Sequence, residues 1–184
     1  MATNQNVMTP KFRASFANVF RPGKAMEEGG EPKYGVMMLF DKDADLSALK
    51  AAAQRAVVDK WGADKAKWPK NLRSPFRDQA EKEGDAYVAG AYFITATSKQ
   101  KPGLVDQRNQ PIIDESEFFS GCYARATVRA FAYDKAGNRG VAFGLQNVQK
   151  LADGEPLGGG RVPAEKEFEP VETGGGTDAT SLFN

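Results

Sequence analysis

The stretch that decides the fold is CYARATVRAFAY, residues 122–133. Successive side chains of a β-strand point to opposite faces of the sheet, so a regular strand here has two different faces. One face carries the small apolar residues Cys122, Ala124, Ala126, Val128, Ala130 and Ala132. The other face carries Tyr123, Arg125, Thr127, Arg129, Phe131 and Tyr133. Because small apolar side chains suit a tightly packed interior, we predict that the aromatic and basic face points outward.

Aromatic rings that alternate with guanidinium groups are typical of a surface that binds single-stranded nucleic acid. Bases stack on aromatic rings, worth about 1–3 kcal/mol each, with little sequence preference. Arginine pairs with phosphate and can also stack on a base. The pattern therefore predicts a binding site at Tyr123, Arg125, Arg129, Phe131 and Tyr133. Alternatively, the last two aromatic residues belong to the core and the two arginines bond nearby carboxylates such as Asp114 or Glu117.

Further basic and aromatic residues extend the predicted site. They come from the first predicted strand, from the loop after the third, and from the polar stretch 63–85: Lys11, Arg13, Lys99, Lys101, Arg73, Phe76 and Arg77. Trp68 lies in the same polar stretch and is more typical of a residue that anchors a loop onto the core.

Four more segments have the alternation or the apolar character of strands, namely residues 11–20, 34–40, 87–97 and 140–151. In the first, Phe12, Phe16 and Phe20 fall on one side of a period-2 pattern, which indicates one face. The third is predicted to bulge at Gly90, because glycine inside a strand often marks a bulge. Residues 134–138 (DKAGN) have the composition of a hairpin turn between the last two strands.

Residues 46–61 carry the one strong helix prediction. The apolar residues at helical spacing are Leu46, Leu49, Ala53, Val57 and Trp61. Asp45 is the predicted N-cap and Gly62 the predicted stop. Five strands and one dominant helix predict a mainly β fold, a small β-barrel or closed sheet, with the helix between strands two and three.

Composition excludes several classes of function. The 184 residues include no histidine and one cysteine, Cys122, so no zinc site of the Cys/His type, no histidine-activated nucleophile and no internal disulfide can form. Asp78, Asp85, Asp106 and Asp114 match no metal-ligand spacing and stand beside turn residues, where aspartate is common. We expect no catalytic site, metal or cofactor. We expect no membrane partner either, since no apolar run approaches the roughly 20 residues that span a bilayer.

The charge is distributed unevenly along the chain. Residues 1–151 contain 23 basic and 17 acidic residues, whereas residues 152–184 contain 2 basic and 7 acidic ones. A basic body suggests a polyanionic partner, and an acidic tail can compete for the same surface; a solvated surface with an accidental tail explains the counts equally well. The predicted organisation is a nucleic-acid-binding domain over residues 1–151 and a flexible acidic tail rich in Gly and Pro over residues 152–184. The last four residues, SLFN (181–184), suit a docking peptide for partner proteins, and they suit a terminus without a role equally well.

Three segments also point to a known family: EPKYGVMMLF (31–40), GAYFITATSKQKPGLVD (90–106) and FSGCYARATVRAFAYDKAGNRGVAFGLQNVQKLADGEPLGG (119–159). They resemble a family of bacteriophage single-stranded DNA-binding proteins, long catalogued only as a domain of unknown function, whose best-known member comes from an Enterobacter phage. The resemblance covers residues 11–159 and is most specific in the third segment. It implies an OB fold that coats DNA during phage replication, without catalysis. The acidic tail is similar to tails that recruit replication proteins.

The residues and the resemblance together predict a sequence-independent single-stranded DNA-binding protein. It would coat and protect single strands during phage replication and recombination, in the cytoplasm of the infected bacterium, and could self-associate on DNA. Two alternatives are a strand-annealing recombination protein and a phage structural or assembly protein whose aromatic face contacts other proteins.

Overall fold

The computed structural model describes residues 6–23, 30–84, 86–157 and 167–171. It contains eight strands and one α-helix within those residues, and three single-turn 3₁₀ helices at Lys65–Lys67, Gln79–Glu81 and Glu115–Glu117. The strands and the α-helix are β1 (Val7–Met8), β2 (Phe12–Gly23), β3 (Lys33–Leu39), α1 (Ser47–Trp61), β4 (Arg77–Asp78), β5 (Tyr92–Ser98), β6 (Gly103–Val105), β7 (Tyr123–Lys135) and β8 (Asn138–Ala152). No helix among the described residues is long and apolar enough to cross a membrane.

Five strands close into a ring in the order β2–β3–β5–β8–β7 and back to β2. Every pairing in the ring is antiparallel except that of β5 with β8. The short strands β1, β4 and β6 add to β7, β5 and β8. Numbered along the chain, the ring strands have the order 1-2-3-5-4-1 of an OB fold. The predicted mainly β, OB-like fold is confirmed, and α1 lies between the second and third ring strands.

The interior is built from alternate residues of the ring strands. On β7, Ala124, Ala126 and Val128 are at most 2% exposed, which confirms that the small apolar face of β7 points inward. Cys122 is fully buried beside them, and burial raises the pKa of its thiol. The helix α1 packs its buried side on β7 and β8. The small side chains of β7 let the helix approach the sheet closely.

Several predicted boundaries move in the structure. The helix starts at Ser47, and Leu46 rather than Asp45 occupies the N-cap position; the Asp45 carboxylate accepts a hydrogen bond from the Ser47 N–H. The third ring strand starts at Tyr92, so Gly90, at φ 86°, belongs to the preceding turn and is not a bulge. The predicted loop 99–111 contains the short strand β6.

The predicted hairpin turn between β7 and β8 is confirmed. Lys135 and Asn138 are the last paired residues, so two residues make the turn. Both have positive φ, 51° at Ala136 and 83° at Gly137. Two positive φ values are the signature of the two-residue turn whose twist matches that of a β-hairpin.

Residues 153–157, which we call the tail root, pack against the ring after β8 ends. The Lys150 ammonium pairs with the Asp153 carboxylate, and the Leu157 N–H donates to the Ser120 carbonyl at 2.8 Å. A Cβ at Gly121 would overlap the Glu155 carbonyl, so the two backbones are in direct contact. The domain boundary between residues 151 and 152 stays a prediction, and a test of it has to leave these contacts in place.

Candidate nucleic-acid interface

The outer face of β7 presents the predicted aromatic and basic residues. Arg125 and Arg129 are exposed, and Phe131 is 47% exposed. The structure thus places Phe131 outside the core, contrary to the core alternative for this residue. Tyr123 and Tyr133 are half-buried at the two ends of the strand.

The strand register brings Arg129 to one end of a row of residues that crosses the sheet. Directly opposed residues of neighbouring strands share a face of the sheet. The successive partners of Arg129 are Gly144 on β8, Thr97 on β5, Gly35 on β3 and Asn18 on β2. We call these five residues the cross-strand row. At about 4.8 Å per strand, the row spans roughly 19 Å. Its three central members are small; Gly35 is buried, and Thr97 and Gly144 are half-buried.

An exposed aromatic residue lies at each end of the row. Near the Arg129 end, Phe131 lies beside Gly144, where an added Cβ would be 3.9 Å from the ring. Near the Asn18 end, Phe16 is 62% exposed, and its carbonyl accepts a hydrogen bond from the Asn18 amide. The row therefore forms a low strip with an aromatic ring at each end.

The position predicted for Phe16 was wrong. The period-2 pattern put it on the same side as Phe12, but Phe12 is 1% exposed and Phe16 points into solvent. The register of β2 shifts between Ser15 and Asn18, and Phe16 has φ 47°. A bulge reverses side-chain alternation, and a positive φ at a bulky residue costs about 1–3 kcal/mol. The bulge could not be predicted from the sequence, because residues 15–18 include neither glycine nor proline.

Thr97 was also missed, although the sequence did contain a signal for it. Residues 94–97 read Ile-Thr-Ala-Thr, in which polar and apolar residues alternate. Ile94 and Ala96 are fully buried, while Thr95 is exposed and Thr97 half-buried. The alternation was sufficient to predict an outward polar face on this strand.

Apart from the cross-strand row, Lys11, Arg13 and Tyr123 form a cluster at the start of β7. The Lys11 ammonium and the Arg13 guanidinium lie 5.5 and 5.9 Å from the centre of the Tyr123 ring. Arg13 also donates hydrogen bonds to the carbonyls of Gly121 and Glu155, at 3.2 and 2.7 Å. The structure thus brings these three predicted residues together, but it places the tail root against them.

Arg125 lies on β7 between Tyr123 of this cluster and Arg129 of the cross-strand row. Its Nε donates to the Gln149 side-chain oxygen at 2.8 Å. Asp114, one of the carboxylates considered as a partner for the arginines, instead accepts hydrogen bonds from the Ser116 N–H and hydroxyl, which lower the pKa of Asp114. An amide partner leaves the positive charge of Arg125 uncompensated at this contact.

The two predicted lysines after β5 lie just past Thr97 in the chain. Lys99 pairs with Glu31 at 3.8 Å, with both side chains about three-quarters exposed. The Lys101 ammonium lies 5.8 Å from the centre of the Phe20 ring. An ion pair this exposed contributes little stability, so Lys99 can exchange Glu31 for another anion.

The predicted residues of the 63–85 stretch lie elsewhere. The Phe76 ring packs edge-on against the buried Phe143, with ring centres 5.8 Å apart. Arg73 pairs through its backbone with β8 at Gly140, beside the Tyr133 hydroxyl. Arg77 pairs with Glu81, and its guanidinium lies 5.3 Å from the centre of the Phe93 ring. The structure therefore does not bring Phe76 and Arg77 to the cross-strand row.

The aspartates considered as a metal site serve separate turns. Asp78 accepts from the Ala80 and Gly90 N–H groups, which lower its pKa, and Asp106 accepts from Arg108 and Gln110. Asp85 lies outside the described residues. Over the part of the chain that the structure describes, no three His, Cys, Asp or Glu residues are grouped to hold a metal ion.

A family model and a known phage protein both match most of this chain. The family model described as "Enterobacter phage Enc34, ssDNA-binding protein" matches residues 5–179. The protein p50 of Acyrthosiphon pisum secondary endosymbiont phage 1 is 31% identical over 168 residues, which cover 86% of this chain and 90% of that protein.

Two solved structures share the fold. The single-stranded DNA-binding protein of bacteriophage Enc34, in complex with single-stranded DNA, matches with a TM-score of 0.68 at 20% identity, over 85% of this chain and 91% of that one. The single-stranded DNA-binding protein gp2.5 of bacteriophage T7 matches with a TM-score of 0.56 at 14% identity, over 93% of this chain and all of that one.

Proposed function

Because the chain belongs to the family of the Enterobacter phage Enc34 single-stranded DNA-binding protein, we propose that it binds single-stranded DNA along the cross-strand row, without sequence preference. The observation that carries the proposal is the exposed Phe131 ring beside Arg129, at the end of a strip of small residues. Stacking and phosphate pairing both require such accessible groups.

The binding mechanism follows from the placement of these groups. Arg129 and Arg125 neutralise phosphates and release condensed counterions, while Phe131 and Phe16 each stack a base. The small residues of the row allow the strand to lie close to the sheet between the two rings. Neither contact reads the edge of a base, so affinity depends little on sequence.

The cluster at Lys11, Arg13 and Tyr123 extends this surface once the tail root moves aside. In this setting the protein coats and protects single strands during phage replication and recombination in the host cytoplasm, and it acts without catalysis. The acidic residues 152–184 then serve as the attachment point for replication proteins; the segment 181–184 lies outside the described residues.

The proposal is tested by fluorescence anisotropy of a labelled oligo-dT of about 30 nucleotides, at two salt concentrations and with duplex DNA as competitor. We expect tight binding that weakens with salt and that duplex fails to displace. Absence of binding at low salt would instead favour an assembly protein whose aromatic surface contacts other proteins.

Replacing Arg129 by alanine is expected to weaken oligo-dT binding and to flatten its dependence on salt. One lost phosphate contact reduces the slope of log K against log salt by about 0.7 for a single strand. The measurement is the anisotropy titration at four or more salt concentrations. Arg55→Ala is the matched control, because Arg55 lies on α1 beside Ala130, which faces away from the row. An unchanged slope for Arg129→Ala would remove this residue from the interface.

Removing residues 158–184 is expected to strengthen binding at low salt by a few-fold and to have little effect at high salt. The removed segment carries 5 acidic and 2 basic residues, which repel DNA and compete for the basic surface. The chain is cut after Leu157 so that the tail root keeps its contacts. Affinity of the shortened and full chains is compared on an oligo-dT short enough for one copy; weaker binding by the shortened chain contradicts competition by the tail.

A further inference from the structure

A groove between α1 and residues 65–76 has no role in the proposed DNA interface. It is open to solvent and has a volume of about 360 Å³, and the apolar residues Val57, Trp68 and Phe76 line it; we call these three residues its apolar floor. Lys50, Lys65 and Arg73 also line it. We call it the helix groove. An apolar floor with basic residues around it suits an acidic peptide that carries a bulky apolar side chain.

The helix groove lies on the other side of β8 from the cross-strand row. Val141 lines the groove, and Phe76 packs on Phe143. Residues 142 and 144 alternate with these two and pair with Phe131 and Arg129. Because alternate residues face opposite sides of a strand, a ligand in the groove leaves the DNA surface accessible.

The chain itself carries a segment with the complementary chemistry. Among the described residues 167–171, Phe168 is 72% exposed and Val171 is 84% exposed. Acidic residues surround them in the sequence, at positions 165, 167, 169 and 172. We call residues 165–172 (EKEFEPVE) the acidic-aromatic segment.

We propose that the acidic-aromatic segment of one copy docks in the helix groove of a second copy, with Phe168 on the apolar floor and its flanking glutamates near Lys65 and Lys50. Both surfaces are present in a single chain, yet Phe168 stays exposed there. A contact between two different surfaces of identical chains is heterologous and continues from copy to copy. Such a chain of copies fits a protein that coats a strand. The coating role rests on the proposed function, whereas the contact between copies does not.

The contact is tested first without DNA, by sedimentation of the full chain from about 5 to about 500 μM. We expect concentration-dependent association that salt weakens, since charged groups surround the contact. Phe168→Ala is expected to raise the dissociation constant at least about tenfold, because one buried aromatic side chain is lost. Ile113→Ala, at a loop residue that is 88% exposed, is the matched control and leaves association unchanged.

A charge swap tests the pairing of the two surfaces. Lys65→Glu and Glu169→Lys are each expected to weaken association, and the double variant is expected to recover part of the loss. The absence of association in the full chain at the highest concentration overturns the proposal, and so does association that Phe168→Ala leaves unchanged. Trp68 fluorescence that depends on Phe168 but not on protein concentration also overturns it, because the segment would then dock within its own chain.

Binding to DNA is measured separately, on an oligo-dT short enough for one copy and at nanomolar protein. The Phe168→Ala variant is expected to bind this oligonucleotide as tightly as the unsubstituted protein does, but to bind long single strands without cooperativity. If the short oligonucleotide is not bound while self-association responds as described, the proposed function fails and the contact between copies stands.

Discussion

Replacing Phe131 by alanine is expected to weaken single-stranded DNA binding by between about 5-fold and about 150-fold, which corresponds to the roughly 1–3 kcal/mol of one stacked base. Phe131 is 47% exposed on the outer face of β7, so its removal opens no cavity in the core. The loss is therefore expected in affinity and not in the stability of the fold. The dependence of binding on salt is expected to stay unchanged, because no charge is removed.

The measurement is the oligo-dT anisotropy titration at several salt concentrations, together with a thermal unfolding curve. Phe131→Tyr retains a ring that can stack and is expected to bind within a few-fold of the unchanged chain. Ile113→Ala serves again as the control for removing an exposed apolar side chain. Affinity that Phe131→Ala leaves intact would falsify the assignment of this ring as a stacking platform.

Replacing Gln79 by leucine is expected to destabilise the fold by about 3 kcal/mol. Gln79 is 2% exposed, and its amide nitrogen donates to the carbonyls of Phe40 and Tyr92 at 2.8 and 2.9 Å. Its side-chain oxygen accepts from the Val88 N–H at 2.9 Å. Leucine supplies none of these hydrogen bonds. The Tyr92 carbonyl still accepts from the Phe40 N–H at 3.0 Å, so the Phe40 carbonyl and the Val88 N–H are the groups that lose their Gln79 partner. A buried polar group left without a partner costs about 1–3 kcal/mol.

The measurement is the midpoint of thermal unfolding by circular dichroism. At roughly 2–4 °C per kcal/mol for a chain of this size, the midpoint is expected to fall by about 6–12 °C. Gln107→Leu is the matched control, because the Gln107 amide also donates to a backbone carbonyl, that of Leu151, but at the exposed surface. Equal midpoints for the two variants would show that the buried position of Gln79 does not matter.

The sequence predicted those features that depend on local periodicity. The alternation in residues 122–133 predicted correctly that Ala124, Ala126 and Val128 are buried while Arg125 and Arg129 are exposed. Period 2 is a property of any regular strand, so it can be recognised without knowledge of the neighbouring strands. The same holds for the hairpin turn and for the helix at residues 47–61, whose spacing is local as well.

Residues far apart in sequence were assigned to one interface only by type, and there the sequence was insufficient. Phe76 and Phe131 have the same side chain, yet one packs on the buried Phe143 and the other is exposed beside Gly144. Which of the two is accessible depends on what packs against each segment. Charge and aromatic content indicate the chemistry of a site, but they do not locate it.

By itself the sequence determined the class of the fold, the two faces of β7 and the exclusion of histidine-dependent chemistry, because composition and strand alternation are properties of the chain alone. The tertiary structure alone decided three further features. A bulge turns Phe16 outward, the strand register aligns Asn18, Gly35, Thr97, Gly144 and Arg129 in one row, and the tail root covers the cluster at Tyr123. All three depend on contacts between segments that are distant in sequence. For the bulge and the row, one residue of shift in the pairing exchanges the two faces of a strand.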